Sequence, residues 1–368
     1  MKIPYIKKWT PGKIEKLFKF PLIDLIYEAS KIHRKYHKSN EVQISTLISI
    51  KTGGCPEDCG YCPQASRYNT NIDKNQLMNI NKVKAQALRA KSSGSSRICM
   101  GAAWRNIKDG EEFDKVLEMI KCITELNMEV CCTLGMVNKD QARRLYEAGL
   151  YAYNHNVDTS EEYYKKIIST RGYQDRIKTI NNVRKAGITV CSGGIIGMGE
   201  SEKDRASMLY TLYKLDPYPE SVPINALVPV KGTPMENKIK IEIWDIIKMI
   251  AITRIVLPKT NVRLSAGRKD FSDEGQTLCF ISGANSIFAG DKLLTTPNPN
   301  IKDDLKLFKI LGIKYKKTFE NIPRTTINEN YKLSKRKYPK ENWSRPNHKI
   351  QANIDSATKA KKIKFNKV

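Results

Sequence analysis

Eight short apolar segments, separated by stretches with helical periodicity, constrain the fold of this chain more than any other feature. The predicted strands are residues 42–50, 96–104, 129–135, 151–158, 189–198, 221–230, 261–267 and 285–290. Residues 113–127 and 173–187 are typical of the amphipathic helices between them, and Gly187 is a helix C-terminal signal. Regular alternation predicts parallel strands joined by crossovers, and eight repeats predict closure. We therefore predict an α/β fold, a (β/α)8 TIM-type barrel with its active site at the carboxyl ends of the strands.

Composition divides the chain into three predicted regions. Residues 1–40 form an N-terminal helical region, with helical periodicity over residues 13–37, and residues 41–311 form the barrel. Residues 312–368 form a C-terminal extension with many cations, few acids and little apolar periodicity. This composition favours a flexible, solvated tail over an arm that binds a partner or nucleic acid.

The net charge of +26 raises the question of a nucleic-acid partner. Lysine, asparagine and isoleucine are abundant throughout the chain, and no nucleic-acid-binding motif is present, so the sequence does not favour one. No signal peptide or long apolar span is evident, and we expect a soluble, cytoplasmic protein without a membrane partner. In such a reducing compartment, nine cysteines indicate metal binding or catalysis before disulfides.

The segment GGCPEDCGYCPQ, residues 53–64, places Cys55, Cys59 and Cys62 in the loop after the first predicted strand. This loop lies on the active-site side of a barrel. A structural zinc site needs a fourth ligand, yet the next cysteine is Cys99 and no histidine lies near the motif in sequence. Three thiolates can instead hold three irons of a four-iron cluster and leave the fourth iron open to a substrate or cofactor.

The Cys-x3-Cys-x2-Cys spacing, with Tyr61 before the last cysteine, resembles the signature of the radical S-adenosylmethionine enzymes. The resemblance implies a [4Fe-4S] cluster on Cys55, Cys59 and Cys62 whose open iron binds the amino and carboxylate groups of S-adenosylmethionine. An electron from the cluster then cleaves this cofactor to methionine and a 5′-deoxyadenosyl radical.

Three further cysteines lie in predicted strands: Cys99 in the second, Cys131 in the third and Cys191 in the fifth, with Arg263 in the seventh. Because side chains alternate across a strand, each can point into the barrel. A single buried cysteine is often just a small apolar residue, but three that converge with a polar residue weaken that explanation.

The adjacent cysteines at 131 and 132 must point to opposite faces of the third strand. Cys132 shares its face with Val130 and Leu134, which suits the outer face that packs against helices. Cys131 shares its face with Thr133 and is therefore predicted to point inward.

Residues 40 to about 311 resemble the biotin synthase family. The segments that carry this resemblance are QISTLISIKTGGCPEDCGYCPQASRY, CMGAAW, YNHNVDTS, TRGYQDR, VCSGGIIGMGE, SVPIN, VRLSAGR, GANSIF and KLLTTPNP. It implies a second, [2Fe-2S] cluster held by Cys99, Cys131, Cys191 and Arg263, although a guanidinium normally stays protonated. It also implies that the radical removes hydrogen from two carbons of dethiobiotin, between which a bridging sulfide of the second cluster is inserted. An electron donor such as flavodoxin or ferredoxin and a homodimer are further implications.

The segment YNHNVD is predicted to place Asn154, Asn156 and Asp158 on one face of the fourth strand. There the amides can hydrogen-bond the ureido ring of dethiobiotin, and the carboxylate can bind ribose hydroxyls of the cofactor. Asn225 is a further candidate for the substrate, and Arg176 for the cofactor's carboxylate. Turn formation is the alternative explanation for asparagine and aspartate near strand ends.

Two other functions stay open at this stage. One is a different radical enzyme of the same architecture, such as a hydrogenase maturase, although the barrel cysteines and Arg263 count against it. The other is a nucleic-acid-binding protein with a structural metal. Iron and acid-labile sulfide distinguish the radical enzymes from the latter, because a zinc protein contains neither.

We predict that removal of residues 330–368 leaves turnover largely intact, because the predicted barrel and all candidate ligands end before that point. The measurements are iron content and biotin formation by the truncated protein. A soluble truncated protein with normal clusters but no biotin formation would show that the tail acts in catalysis.

Overall fold

The computed structural model describes residues 8–318 of the chain. Its barrel strands are β1 Glu41–Lys51, β2 Arg97–Ala102, β3 Glu129–Thr133, β4 Ala152–Asn154, β5 Thr189–Cys191, β6 Gly194–Ile196, β7 Ser221–Ala226, β8 Asn261–Leu264 and β9 Ser286–Ala289. They pair in parallel in the order β1-β2-β3-β4-β5-β7-β8-β9, and β9 pairs with β1 to close the barrel. The short β6 continues β5 and pairs with β7. The predicted TIM-type barrel is confirmed.

Helices surround this barrel and cover its apolar outer face. They are α1 Pro11–Leu17, α2 Leu22–Tyr36, α3 Ile80–Ser92, α4 Glu111–Glu125, α5 Lys139–Glu147, α6 Glu161–Tyr164, α7 Tyr173–Lys185, α8 Glu202–Lys214, α9 Ile243–Val256, α10 Asp273–Ile281 and α11 Ile301–Leu311, with a 3-10 turn at Arg268–Asp270. Gly187 follows α7 with a φ of +89°, as its predicted role at the end of that helix requires. Among residues 8–318, no helix combines the length and apolar character that a membrane span needs.

Except for β1, the observed strands are shorter than the sequence predicts, and the fourth and fifth differ most. The fifth, predicted over residues 189–198, is interrupted after Cys191, where Gly193 packs against β7 so closely that a Cβ atom would lie 2.0 Å from the Pro223 carbonyl oxygen. The fourth, predicted over residues 151–158, ends at Asn154, and Asp158 in the following loop has a φ of +67°, which a strand cannot adopt. The prediction that Asn156 and Asp158 lie on a strand face is therefore wrong, since both lie in the loop that follows.

The N-terminal helical region contains two helices instead of one continuous helix over residues 13–37. Pro21 separates them, since it precedes α2 and has no backbone N–H to donate. Helix α1 packs against α8, and α2 packs against α9.

Beyond β9 the chain forms a small hairpin, β10 Lys292–Leu293 and β11 Thr296–Pro297, and then α11. Strand β12, Lys314–Tyr315, pairs in parallel with the first two residues of β1, so the chain stays attached to the barrel past the predicted boundary at residue 312. The remainder of the predicted extension, residues 319–368, and the truncation at residue 330 lie outside the described residues. The other domain boundaries stay predictions.

His33 on α2 is buried, and its Nε2 atom has no hydrogen-bond partner among the residues that the structure describes. Burial, followed by the positive charges of Arg254 and Arg34, lowers the pKa of His33 to about 3. The imidazole is therefore neutral in the folded chain, whereas the unfolded chain binds a proton with a pKa near 6.5. The stability associated with this neutral histidine is present above pH 6.5 and is lost as the pH falls toward 3.

We predict that His33→Leu reduces the loss of stability on acidification. Between pH 7 and pH 5, protonation of His33 in the unfolded state costs the native chain about 2 kcal/mol, which the leucine variant does not lose. Urea unfolding at the two pH values measures this difference, with Lys84→Leu on the exposed face of α3 as the control. Equal pH dependence in the parent and His33→Leu would contradict the prediction.

Candidate active site

The loop that carries the first three cysteines is closed by its own backbone. The Cys55 N–H donates to the Gln64 carbonyl at 2.9 Å, and the Ser66 N–H donates to the Cys55 carbonyl at 2.7 Å. Within this loop the Cys62 N–H donates to the Cys59 carbonyl at 2.9 Å. These bonds hold all three thiols on one compact turn at the carboxyl end of β1.

A second segment, residues 167–170, fixes the cysteine loop against the barrel. The Asp58 carboxylate accepts backbone N–H groups of Ser169 and Thr170 at 3.0 and 3.1 Å, and the Gly60 N–H donates to the Ile167 carbonyl at 2.9 Å. Burial opposes ionisation of Asp58, but hydrogen bonds from Ser169 and Thr170 outweigh it and lower the pKa to about 2. The loop is thus docked by charge-assisted bonds.

The donor set of this loop fits a four-iron cluster. Burial raises the pKa of Cys59 to about 11 and that of Cys62 to about 12, so a positive iron centre is needed to hold them as thiolates. Among residues 8–318, no three Cys, His, Asp or Glu side chains are placed so as to hold a single metal ion together. A single zinc ion would bring its thiolates to roughly 3.8 Å from each other, whereas a four-iron cluster binds each thiolate on a separate iron.

The other three predicted cysteine ligands meet inside the barrel. Cys99 and Cys131 are direct neighbours in the pairing of β2 with β3. A hydrogen bond between the two thiols lowers the pKa of Cys99 to about 7. Arg263 on β8 donates from Nη1 to the Cys191 Sγ at 3.6 Å, so the three cysteines and Arg263 form one buried group.

Neutral side chains hold the rest of the Arg263 guanidinium. Its Nε donates to the Ser286 Oγ at 2.9 Å, and its Nη2 donates to the Ser45 Oγ at 3.2 Å and the Gln43 Oε1 at 3.3 Å. The Phe288 ring lies 4.5 Å from the guanidinium carbon. These contacts leave Nη1 as the nitrogen that faces the cysteines.

A buried ion-pair layer beneath these cysteines was missed by the sequence reasoning. Arg97 donates to Glu129 at 2.7 Å and to both Glu220 oxygens at 3.3 and 3.2 Å. Arg97 and Glu129 are paired neighbours two residues before Cys99 and Cys131, so they share the inward face one layer below. The signal was available, because Arg97 and Glu129 are charged residues in phase with inward-facing cysteines.

The inward register of β3 is confirmed. Cys131 clusters with Cys99 and Ala152 inside the barrel, whereas Cys132 packs in the outer core with Val130 and Leu134. The alternation inferred from sequence therefore assigns the correct face to each of the two adjacent cysteines.

One cavity of about 230 Å³ at the carboxyl ends of the strands connects the two sets of cysteines. Cys62 of the loop lines one part of it, and Cys99, Cys131 and Arg263 line another. A molecule in this cavity can therefore approach both sets.

The predicted asparagines line this cavity but differ in their free hydrogen-bonding capacity. The buried Asn154 Oδ1 has no hydrogen-bond partner within the described part of the chain, so it is an acceptor available to a ligand N–H. The Asn156 Oδ1 accepts the Gly193 N–H at 3.1 Å. Asn225 lies in β7 and bonds the backbone on both sides, to the Gly194 carbonyl at 3.0 Å and from the Ala266 N–H at 3.3 Å, so it forms cross-strand bonds instead of the turn that was the alternative explanation.

Arg176 is occupied by protein groups and is absent from the cavity lining. Its guanidinium pairs with Asp158, donates to the Tyr164 hydroxyl at 2.8 Å and donates to the Asn156 carbonyl at 2.6 Å. Asp158 lines the cavity and also accepts the Tyr61 hydroxyl at 2.8 Å. Arg176 thus orients Asp158, while its direct contact with a cofactor carboxylate stays a prediction.

Comparison with known proteins identifies the family. Models of the radical SAM superfamily and of the Biotin and Thiamin Synthesis associated domain match residues 49–211 and 223–314. The biotin synthase of Christiangramia forsetii is 63% identical over 357 residues, which are 96% of this chain and 98% of that protein. The biotin synthase of Flavobacterium psychrophilum is 62% identical over 354 residues, with the same two coverages. The chain belongs to the biotin synthase family. Membership of this radical SAM family implies a four-iron cluster and S-adenosylmethionine.

The crystal structure of a maturase of the [FeFe]-hydrogenase shares the fold with this member of the biotin synthase family. The TM-score is 0.75, and the superposition covers 95% of this chain and 77% of the maturase chain. The identity is 16%, so the likeness shows the barrel architecture alone. The sequence comparisons therefore decide between the two radical enzymes considered above in favour of biotin synthase.

We predict opposite outcomes for the two adjacent cysteines of β3 in this biotin synthase family member. Cys131→Ala removes a thiol from the cavity lining and should abolish both biotin formation and the visible absorption expected of a two-iron cluster on the barrel cysteines. Cys132→Ala removes a thiol from the outer core and should keep both. Absorption spectra and product assays on the two reconstituted variants measure the difference, and a reversed result would contradict the ligand assignment.

Proposed function

We propose that the chain forms biotin from dethiobiotin by radical insertion of sulfur, with the two sets of cysteines as ligands of two iron–sulfur clusters. The observation that supports this proposal most is the single cavity lined by Cys62 of the loop and by Cys99, Cys131 and Arg263 of the barrel. A substrate that must react first with a radical and then with a sulfide needs access to both sources without leaving the protein.

Cys55, Cys59 and Cys62 hold the four-iron cluster in this proposal, and Cys99, Cys131, Cys191 and Arg263 hold the two-iron cluster. When bound, the first supplies the electron that cleaves S-adenosylmethionine to methionine and the 5′-deoxyadenosyl radical, and the second supplies the sulfide. The protein's task is to keep the reacting groups in contact and away from water.

The polar residues of the cavity bind and orient the organic molecules. The unpartnered Asn154 Oδ1 suits a ureido N–H of dethiobiotin, and Asn156 and Asn225 border the same space. The Asp158 carboxylate, oriented by Arg176 and Tyr61, suits ribose hydroxyls of the cofactor. These roles agree with the donors and acceptors that each ligand offers.

Apolar residues exclude water from the same space. Leu293 and Leu294 of the β10–β11 hairpin line the cavity, and the Leu294 side chain lies directly over Gly101 of β2. Exclusion of water and stray hydrogen donors protects a primary radical from side reactions.

Three further properties of the proposed enzyme are carried over from the family. They are an electron donor such as flavodoxin or ferredoxin, a homodimeric state and a cytoplasmic location. The high identity to biotin synthases over almost the whole chain supports them.

The proposal is tested by anaerobic incubation of the reconstituted protein with S-adenosylmethionine, a reductant and dethiobiotin. Mass spectrometry should detect biotin and 5′-deoxyadenosine. If S-adenosylmethionine is cleaved but no biotin forms, the assignment as a radical enzyme stands and dethiobiotin is refuted as the substrate.

We predict that Cys59→Ala reduces 5′-deoxyadenosine production to the level of a blank without enzyme, because two thiolates leave two irons of the cluster unsupported. Cys122→Ala on α4, outside both cysteine sets, is the matched control and should retain production. Normal 5′-deoxyadenosine production by Cys59→Ala would overturn the ligand assignment.

A further inference from the structure

Arg171 lies beside the cysteine loop and has no role in the proposal above. Its side chain is 8% exposed, and it directly follows residues 167–170, the segment that fixes the loop. One end of the guanidinium, Nη1, lies 3.8 Å from the Glu57 carboxylate, and Nη2 donates to the Cys59 Sγ at 3.8 Å. Arg171 therefore contacts the cysteine loop at two points, one of them a candidate iron ligand.

The third nitrogen of this guanidinium lacks an acceptor. Arg171 Nε is buried and has no hydrogen-bond partner among residues 8–318. A buried donor without an acceptor costs about 1–3 kcal/mol, more when the group is charged. Such an atom beside a cofactor site indicates an acceptor that the bound cofactor supplies.

The planarity of the guanidinium fixes where this unpaired donor points. The Nε–H and one Nη2–H of arginine project in parallel from the same edge, which is the edge used in bidentate pairing. Nη2, which shares this edge with Nε, is the nitrogen that donates to the Cys59 sulfur. Arg176, a second buried arginine close to Arg171, is committed to Asp158.

We propose that Arg171 is a positioning residue for the four-iron cluster, whose Nε–Nη2 edge donates to the Cys59 thiolate and to a cluster sulfide. Reduction adds one negative charge to the cluster. Hydrogen bonds to its sulfurs and a nearby positive charge stabilise that charge and raise the reduction potential. Arg171 thus favours reduction of the cluster, which provides the electron needed for cleavage of S-adenosylmethionine. The inference rests on the four-iron cluster of the proposed function and is independent of dethiobiotin.

The test compares Arg171→Gln, which removes the charge, with Arg171→Lys, which keeps the charge but loses the planar edge. Arg184→Gln, a partly buried arginine of α7 far from the cysteines in the loop, is the control. After iron and sulfide are quantified, the potential of the four-iron cluster is measured by anaerobic titration followed by electron paramagnetic resonance, without dethiobiotin.

For Arg171→Gln we expect a tenfold lower ratio of reduced to oxidised cluster at a fixed solution potential, equivalent to about 59 mV for one electron. Arg171→Lys should shift in the same direction by less, and Arg184→Gln should not shift. Formation of 5′-deoxyadenosine should fall in Arg171→Gln with a weak reductant and recover with a stronger one. A purely structural role would not produce that recovery.

An unchanged potential in Arg171→Gln would overturn the proposal. If this variant fails to bind iron because Glu57 loses one of its two arginine partners, Arg105 and Arg171, the potential is measured in the double variant Glu57→Gln/Arg171→Gln. Failure of all three Arg171 variants to bind iron, with Arg184→Gln intact, would mean that Arg171 only holds the loop and would also overturn the proposal. These readouts do not involve biotin, so failure of the sulfur-insertion proposal is recognised separately.

Discussion

The fold of this barrel depends on the hydrogen bonds and ion pairs that compensate the charges of its buried arginines. Arg97, Arg254, Arg263 and Arg268 have at most 1% exposure, and an uncompensated buried cation costs several kcal/mol. Arg97 pairs with Glu129 and Glu220 in the layer beneath the barrel cysteines. Arg268 pairs with Asp304 and so attaches α11 to the barrel. Arg254 instead donates to backbone carbonyls beside α9. Each arginine therefore joins segments that are distant in sequence.

Arg263 lines the cavity and lies next to the layer in which carboxylates neutralise Arg97. The Glu129 carboxylate accepts a hydrogen bond from the Gln43 amide, and the same amide accepts one from Arg263. The neutral Gln43 side chain therefore links the Arg263 guanidinium to the Glu129 carboxylate. Its other acceptors are hydroxyls and the Cys191 sulfur. The same position is thus stable enough to stay folded and electrostatically open to an anionic group in the cavity.

The features that were predictable from sequence depend on local periodicity. Apolar runs locate the eight barrel positions, and alternation assigns opposite faces to Cys131 and Cys132. Features that depend on tertiary contact were not predictable. The break after Cys191 results from the approach of Gly193 to β7, which no local pattern records. The Arg171 contact with Cys59 spans 112 residues, and TRGYQDR contains nothing that distinguishes its two arginines before folding.

The pairing of Cys99 with Cys131 has a consequence for how the protein responds to air. Neighbouring strands lie about 4.8 Å apart, within the Cα separation that a disulfide tolerates, and the two thiols already touch. Without iron to occupy them, molecular oxygen can take two electrons and two protons from this pair and join the strands covalently. If Cys99, Cys131 and Cys191 hold a cluster as proposed, this crosslink would leave one of the three thiols for iron until a thiol reductant reversed it.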